Sequence, residues 1–217
     1  MRKFIVAAAL AALSAAAAFG QAASDYKKGE FFIGYSNGQV DTGLDSGSSV
    51  RDFFRDRANF NGVNVSGVYN MNRYVGVKGD FSATYNSTRF SETFTNPATS
   101  TTVSASFDTK NSLYNVIGGL QLKDNAKEGV FKPFAHAMVG LGHARTKVRG
   151  VTCSPSVPCP IVEGSFSDSG FSGVFGGGID FRVNDRIQIR AIQVDYNPIR
   201  LDGETSNNVR IGAGIVF

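Results

Sequence analysis

The feature that most constrains this chain is a strict alternation of apolar and polar residues in which nearly all the charge keeps to one parity. Within residues 74–85, Val75, Val77, Gly79, Phe81, Ala83 and Tyr85 share one parity, and Tyr74, Gly76, Lys78, Asp80, Ser82 and Thr84 share the other. Successive side chains of a β-strand point to opposite faces, so a period of two identifies strands. The end of the chain repeats the device, with Val209, Ile211, Ala213, Ile215 and Phe217 against Asn208, Arg210, Gly212, Gly214 and Val216. Comparable runs at 31–35, 63–69, 114–122, 131–141, 175–183 and 187–196 bring the count to eight strands. In the run at 187–196 the parity changes: Ile187 and Ile189 are odd, whereas Ile192, Val194 and Tyr196 are even. One inserted residue, a β-bulge near Ala191, is expected there.

The connections differ in kind. Residues 71–73, 123–130 and 184–186 are short links, whereas 39–57, 86–106, 146–169 and 198–207 read as mostly long ones. Short and long alternate along the chain, which in an up-and-down meander gathers the long loops at one end and the short turns at the other. Closing eight strands into a barrel satisfies every edge N–H and C=O.

Which face meets lipid follows from where the charges fall. Lys78, Asp80, Asp180, Arg182, Arg190, Asp195 and Arg210 lie on the polar faces among Gly, Ser and Asn. They are bulky and nearly balanced in sign, so they read as an interior ion network, with Arg190 and Arg210 pairing with Asp180 or Asp195. An ion path through the lumen is the alternative. The opposite faces are almost free of charge, as expected where a charge would cost ~2–4 kcal/mol at the bilayer midplane. Tyr35, Tyr69, Tyr85 and Tyr114 fall near strand ends, where an aromatic belt would meet the lipid–water boundary. The 25 glycines among 217 residues exceed the usual ~7% and leave room in a narrow interior. The reverse orientation, apolar side inward around a ligand, would make a lipocalin-like carrier.

At the N-terminus, Arg2 and Lys3 precede an uncharged Ala/Leu-rich stretch, 4–19, and small residues follow. This pattern predicts a cleavable signal peptide, 1–22, and a barrel domain, 23–217. The net charge of +4 includes Arg2 and Lys3, so the balance gives no support for nucleic-acid binding. Cys153 and Cys159 bracket a Pro-rich loop, and in an exported chain they are expected to form a disulfide closing a small ring, worth ~2 kcal/mol. His136 and His143, seven residues apart, fall on opposite faces of one strand, each expected to be a solitary packed or rim histidine rather than a metal ligand.

The segment 50–57 mixes aromatics with alternating charge, and Arg51, Phe53, Phe54, Arg55 and Arg57 are candidate loop contacts. Residues 90–107 read as strands projecting beyond the membrane, with Asn96-Pro97 at the tip. Such surfaces suit adhesion to a host or neighbouring cell, or contact with lipopolysaccharide phosphates through Arg55 and Arg57. His143, Asp168, Ser165 and Ser167 collect near the same end without a nucleophile motif. Gly176-Gly177-Gly178 lacks the Lys-Ser/Thr and the helix of a phosphate loop. Neither an enzyme nor a cofactor is expected.

Lys132-Pro133-Phe134-Ala135-His136, Gly176-Gly177-Gly178-Ile179-Asp180-Phe181, Arg190-Ala191-Ile192-Gln193-Val194-Asp195-Tyr196 and terminal Phe217 resemble the OmpA-type, opacity-like single-domain outer-membrane β-barrels often called the porin family. The resemblance spans roughly 30–217. It implies an eight-stranded antiparallel transmembrane β-barrel in a Gram-negative outer membrane, in contact with outer-membrane lipid and lipopolysaccharide. It further implies a structural and surface-interaction role, with a narrow small-solute channel as the alternative. Phe217 is similar to the signal by which the barrel-assembly machinery recognises its clients.

Overall fold

In the computed structural model, which describes residues 26–41, 57–96, 101–126, 129–154, 163–201 and 203–217, each alternating run forms a strand. The strands are β1 (Gly29–Asp41), β2 (Arg57–Asn70), β3 (Val75–Asn96), β4 (Thr101–Lys123), β5 (Phe131–Ser154), β6 (Gly164–Arg182), β7 (Gln188–Leu201) and β8 (Glu204–Val216). Each pairs antiparallel with its sequence neighbours, and β1 also pairs with β8, which closes the barrel. The expected signal peptide, Arg51, Phe53, Phe54, Arg55 and Cys159 lie outside the described residues.

The register fixes the width. Cross-strand partners lead from Gly29 through Tyr69, Val77, Leu120, Ala137, Phe175, Tyr196 and Val209, and the circuit returns to β1 at Gln39, ten residues further on. With a rise of ~3.3 Å per residue and ~4.8 Å between strands, this stagger tilts the strands by about 40° and sets a backbone radius of about 8 Å. Two facing long side chains fill such a lumen. At the expected bulge, β6 partners step from Ile179↔Ile192 to Asp180↔Arg190, skipping Ala191. β8 partners are offset at the same place. The extra residue lets Arg190 and Asp195 both point inward despite their opposite parity.

Outside, Ile33, Val77, Val116, Leu120, Val139, Leu141 and Ile215 are exposed, as a lipid-facing surface requires. The inside is not uniformly polar. Phe32, Phe134, Ile117, Met138 and Val174 are buried there among the charged groups. A second apolar cluster, Phe60, Leu113 and Ile199, lies towards the opposite end from the short turns.

Three of the four connections expected to be long are mostly strand. β3 and β4 stay paired to Asn96↔Thr101, β5 runs to Ser154, and β7 and β8 pair up to Leu201↔Glu204. Gly203 turns that last link with a φ of +83°, a conformation that costs glycine little. The apolar alternation stops where the lipid stops, but the hydrogen-bond ladder continues. Hydroxyl pairs support it, such as Thr95–Thr102 at 3.2 Å and Ser106–Thr152 at 2.8 Å.

The short turns hold by side-chain acceptance of backbone N–H groups. Asn72 Oδ1 accepts from Tyr74 and Val75 at 2.8 and 2.9 Å, and Asn184 Oδ1 from Arg186 and Ile187 at 2.9 and 2.8 Å. Arg73 Nε and Nη2 grip both oxygens of Asp124, each at 2.8 Å, tying two turns together. That guanidinium, aided by the Ala126 N–H, holds the Asp124 carboxyl well below the usual carboxylate range. Because the folded value is depressed, the stabilisation is present above the unfolded value of ~3.9 and is lost as pH falls below it. Arg73→Gln is expected to return Asp124 towards the ordinary range, as read by carboxyl-carbon NMR titration. On the outer face, Val139→Arg is expected to destabilise the folded barrel by about 2–4 kcal/mol in urea unfolding from vesicles. Val183→Arg, at the turn end, should cost at most about 1 kcal/mol.

Candidate functional site

The lumen concentrates the chain's buried charge. Alternation sends Glu30, Lys78, Asp80, Lys123, His136, Asp180, Arg190, Asp195 and Arg210 inward, and every one is buried. Starting from the turn end, Lys123 Nζ donates to Glu30 Oε1 at 2.8 Å, to Asp180 Oδ2 at 2.7 Å and to Gln188 Oε1 at 2.9 Å. Arg190 Nε and Nη2 grip Asp180 at 2.8 and 3.1 Å, while its Nη1 donates to Gln193 Oε1 at 2.8 Å. Gln193 passes the chain on, donating to Asp195 Oδ2 at 2.7 Å. Arg210 donates to the same oxygen from Nε and Nη2 at 2.9 and 2.7 Å, and reaches across the lumen to Asp80 Oδ1 at 2.9 Å. Asn64 on β2 also donates to Asp80 Oδ1, at 2.9 Å. The hydrogen bonds form one connected lattice to which all eight strands contribute.

His136 branches from this lattice. Its Nε2 lies 2.8 Å from Asp195 Oδ1 and its Nδ1 lies 3.2 Å from Lys78 Nζ. An ammonium can only donate, so Nδ1 accepts and the Nε2 proton points at the carboxylate. With His136 in that neutral form, the lattice holds the cations Lys78, Lys123, Arg190 and Arg210 with the anions Glu30, Asp80, Asp180 and Asp195, while a fifth buried cation, Lys132, lies at the turn end, where its Nζ donates to the carbonyls of Asp124 and Ala126. Burial of charge in such a medium is sustained only by pairing of this kind. The Arg190 guanidinium is also sandwiched between the Phe32 and Phe134 rings, 4.4 and 4.1 Å from their centroids, which gives the interior aromatics their place. Gly176 and Gly178 make room: a Cβ at Gly176 would collide with Asp195 Oδ1, and one at Gly178 would lie 2.9 Å from the Phe134 ring.

Beyond the ions comes a neutral polar layer. Asn197 donates to Ser172 Oγ at 2.9 Å, and Ser172 donates to Asn115 Oδ1 at 3.1 Å. Phe60, Leu113 and Ile199 cap this layer with apolar side chains.

Of the seven ionic residues singled out from the sequence, the structure brings six into the lattice. Arg182 has the right parity but lies past the end of the lumen, with Nη1 3.6 Å from Asp185 in the turn. Glu30 and Lys123 are not among those seven, nor is His136, expected to be solitary, although each shares the inward parity of its strand. His136 is not solitary. His143 is at the rim, with Nδ1 2.7 Å from Ser169 Oγ and its ring stacked on Tyr114. Ser165 accepts from Arg145 rather than meeting the histidine. Arg57 Nη1 donates to the carbonyls of Gln39, at 3.1 Å, and Asn207, so it helps hold β1 and β8 together at their outer ends. Cys153, near the end of β5, is not a free thiol. Phe217 exchanges backbone hydrogen bonds with Phe31, at 2.8 and 3.1 Å.

Replacing Arg210 by Met would leave Asp80 and Asp195 buried without their shared cation, and a loss of about 3–5 kcal/mol is expected. Arg182→Met, at the rim, should change stability by no more than about 1 kcal/mol. Urea unfolding of both variants in the same vesicles makes the comparison.

A family model described as the outer membrane protein beta-barrel domain matches residues 5–217. Among solved structures, the attachment invasion locus protein Ail of Yersinia pestis, in complex with the heparin analogue sucrose octasulfate, aligns at a TM-score of 0.52 and 20% identity, covering 87% of this chain and 97% of that one. A second Ail structure from Yersinia pestis aligns at 0.51 and 19% identity, covering 87% and 97%. The Neisserial surface protein A aligns at 0.49 and 11% identity, covering 89% and 98%. No curated protein sequence matches. At these identities the Ail alignments bear on the fold.

Proposed function

The chain belongs to the outer membrane protein β-barrel domain family, and on that premise we propose that it is a non-catalytic, non-conducting scaffold of the Gram-negative outer membrane whose projecting hairpins make contacts at the cell surface. The observation that carries this reading is the closed ion lattice under an apolar cap. A permeating ion would have to break several buried pairs and then pass the apolar side chains of Phe60, Leu113 and Ile199. The lattice is therefore read as a structural tie between strands.

The surface role rests on the outer end. β3 and β4 carry their ladder out to Asn96 and Thr101, and β5 and β6 project beside them. On the inward face of this blade, Phe90 stacks on Phe107 with centroids 5.5 Å apart, and Phe166 is exposed. Aromatic surface of this kind, held on a rigid support, suits adhesion. Arg51, Phe53, Phe54 and Arg55 remain candidate contacts on the β1–β2 connection, and a Cys153–Cys159 disulfide would stiffen the β5–β6 tip. The complex of Ail with a heparin analogue supports a surface-binding role for barrels of this shape. Phe217 is proposed as the recognition residue for the barrel-assembly machinery.

A narrow solute channel is the second reading. The side-chain amide of Gln121 and Asp80 Oδ2, buried without a hydrogen-bond partner among the described residues, favour it, since both could bond to water in the lumen.

Planar-bilayer recording decides between the two. Wild-type protein is expected to give no conductance steps, and reproducible steps would establish the channel. Deleting 90–107 is expected to abolish adhesion to host or neighbouring cells while leaving the barrel's heat-modifiable gel mobility intact. Unchanged adhesion would remove the blade from the proposed role.

A further inference from the structure

The apolar belt around the barrel is not of even height. Outward apolar side chains run from Val75 to Tyr85 on β3, from Phe131 to Leu141 on β5 and from Phe181 to Phe171 on β6. On β1 they run only from Phe31 to Tyr35, and on β2 from Tyr69 to Val63. At ~3.3 Å per residue and a tilt of about 40°, the belt is about 25 Å tall on β3, β5 and β6 but only about 10–15 Å on β1 and β2.

On the two short strands the next outward positions are amides. Asn37 stands opposite Asn61, and Gln39 opposite Asn59. They bond to one another along the wall: Asn37 Nδ2 donates to Asn59 Oδ1 at 2.5 Å and to Asn61 Oδ1 at 2.9 Å, and Gln39 Nε2 donates to Asn37 Oδ1 at 2.7 Å. The Tyr35 hydroxyl donates to Asn61 Oδ1. The ladder nevertheless places this cluster level with apolar neighbours on both sides. Asn61 is the cross-strand partner of Tyr85, whose ring meets Tyr114 edge-on, and Asn37 is the partner of exposed Ile211 on β8.

Tilting a uniform belt does not produce this pattern, because tilt lowers both edges on one side. Sharing the stagger among eight strands raises the register by about 3 Å per strand, which puts Phe31 and Tyr69 slightly above Phe131 and Phe181 at the turn end. At the hairpin end, by the same geometry, Tyr35 and Val63 stand about 8–11 Å below Tyr85 and Phe171. Only the upper edge descends, so the belt is a wedge. Each amide keeps polar groups that the cluster does not use, and in hydrocarbon those groups would have no partner. A bilayer meets a short apolar span by thinning, at a modest cost per ångström.

We propose that the wall formed by β1 and β2 draws the headgroups of the outer leaflet down to Asn37, Gln39, Asn59 and Asn61, so that its partner is a lipid patch thinned by about 8 Å next to the β1–β8 seam. It rests on the outward face meeting lipid, and not on conduction or on what the hairpins bind. A second copy of the chain is the other occupant that could cover the amides.

The chain contains no Trp, so a single introduced indole reports its own depth. Val63 on β2 and Val139 on β5 are both exposed, and the register puts them at the same height to within about 1 Å. Val63→Trp and Val139→Trp are compared in the full chain, folded into phosphatidylcholine vesicles brominated either near the headgroup or near the acyl-chain end, with acrylamide as the quencher from water. Heat-modifiable mobility first establishes that each variant is folded. Deep bromines are expected to quench the β5 reporter about threefold more than the β2 reporter, and acrylamide to quench the β2 reporter about threefold more than the β5 reporter. Adding Asn37→Leu/Asn61→Leu is expected to sink the β2 reporter to the depth of the β5 reporter.

Equal depth of the two reporters without the leucines overturns the thinning. So does a β2 reporter shielded from acrylamide and bromine alike, which would mean that a second copy covers the amides. A depth difference that survives the leucines removes the amides as its cause and overturns the proposal as well. The two reporters decide the matter even if the leucine variant does not fold. If neither reporter is quenched by any brominated lipid, the lipid-facing reading itself fails.

Discussion

An open strand edge has no place in hydrocarbon, and the pairing of β1 with β8 is the contact on which everything else in this molecule depends. Closure with a ten-residue stagger leaves a cylinder too narrow for water to solvate its contents freely. Charges sent inward by alternation must then neutralise one another. The bulge at Ala191 shows how strongly this condition acts, because without it Arg190 and Asp195 could not both belong to the interior.

The lattice that results is distributed rather than local. Asp180 is shared by Lys123 and Arg190, and Asp195 by Arg210 and His136. Each carboxylate serves as a junction, so removing one group unbalances several strands at once. Phe32 and Phe134 belong to the same design, covering the guanidinium faces that carboxylates cannot reach.

Much of this was legible in the sequence because a strand exposes its two faces as two parities. The strand count, the bulge and the inward direction of Lys78, Asp80, Asp180, Arg190, Asp195 and Arg210 all follow from that rule. Parity does not report height along the barrel, which is why Arg182 was grouped with residues that stand deeper in the lumen. Nor does it report distance across the lumen. The Arg210–Asp80 contact joins β8 to β3, and no pattern along the chain specifies it. Glu30, Lys123 and His136 were visible to the same rule but stood near strand starts or ends, or looked like an isolated imidazole. The projecting hairpins were read partly as loops because alternation of apolarity ends at the lipid boundary while backbone pairing does not.

The β1–β8 seam joins residues such as Phe32 and Val216 that stand at opposite ends of the chain. The cylinder therefore cannot be completed while the polypeptide is still being synthesised. Until the seam partner arrives its lipid-facing residues remain uncovered, and in that interval they are exposed to aggregation. The finished wall therefore exists only once the last strand to be made, β8, has reached the first, β1.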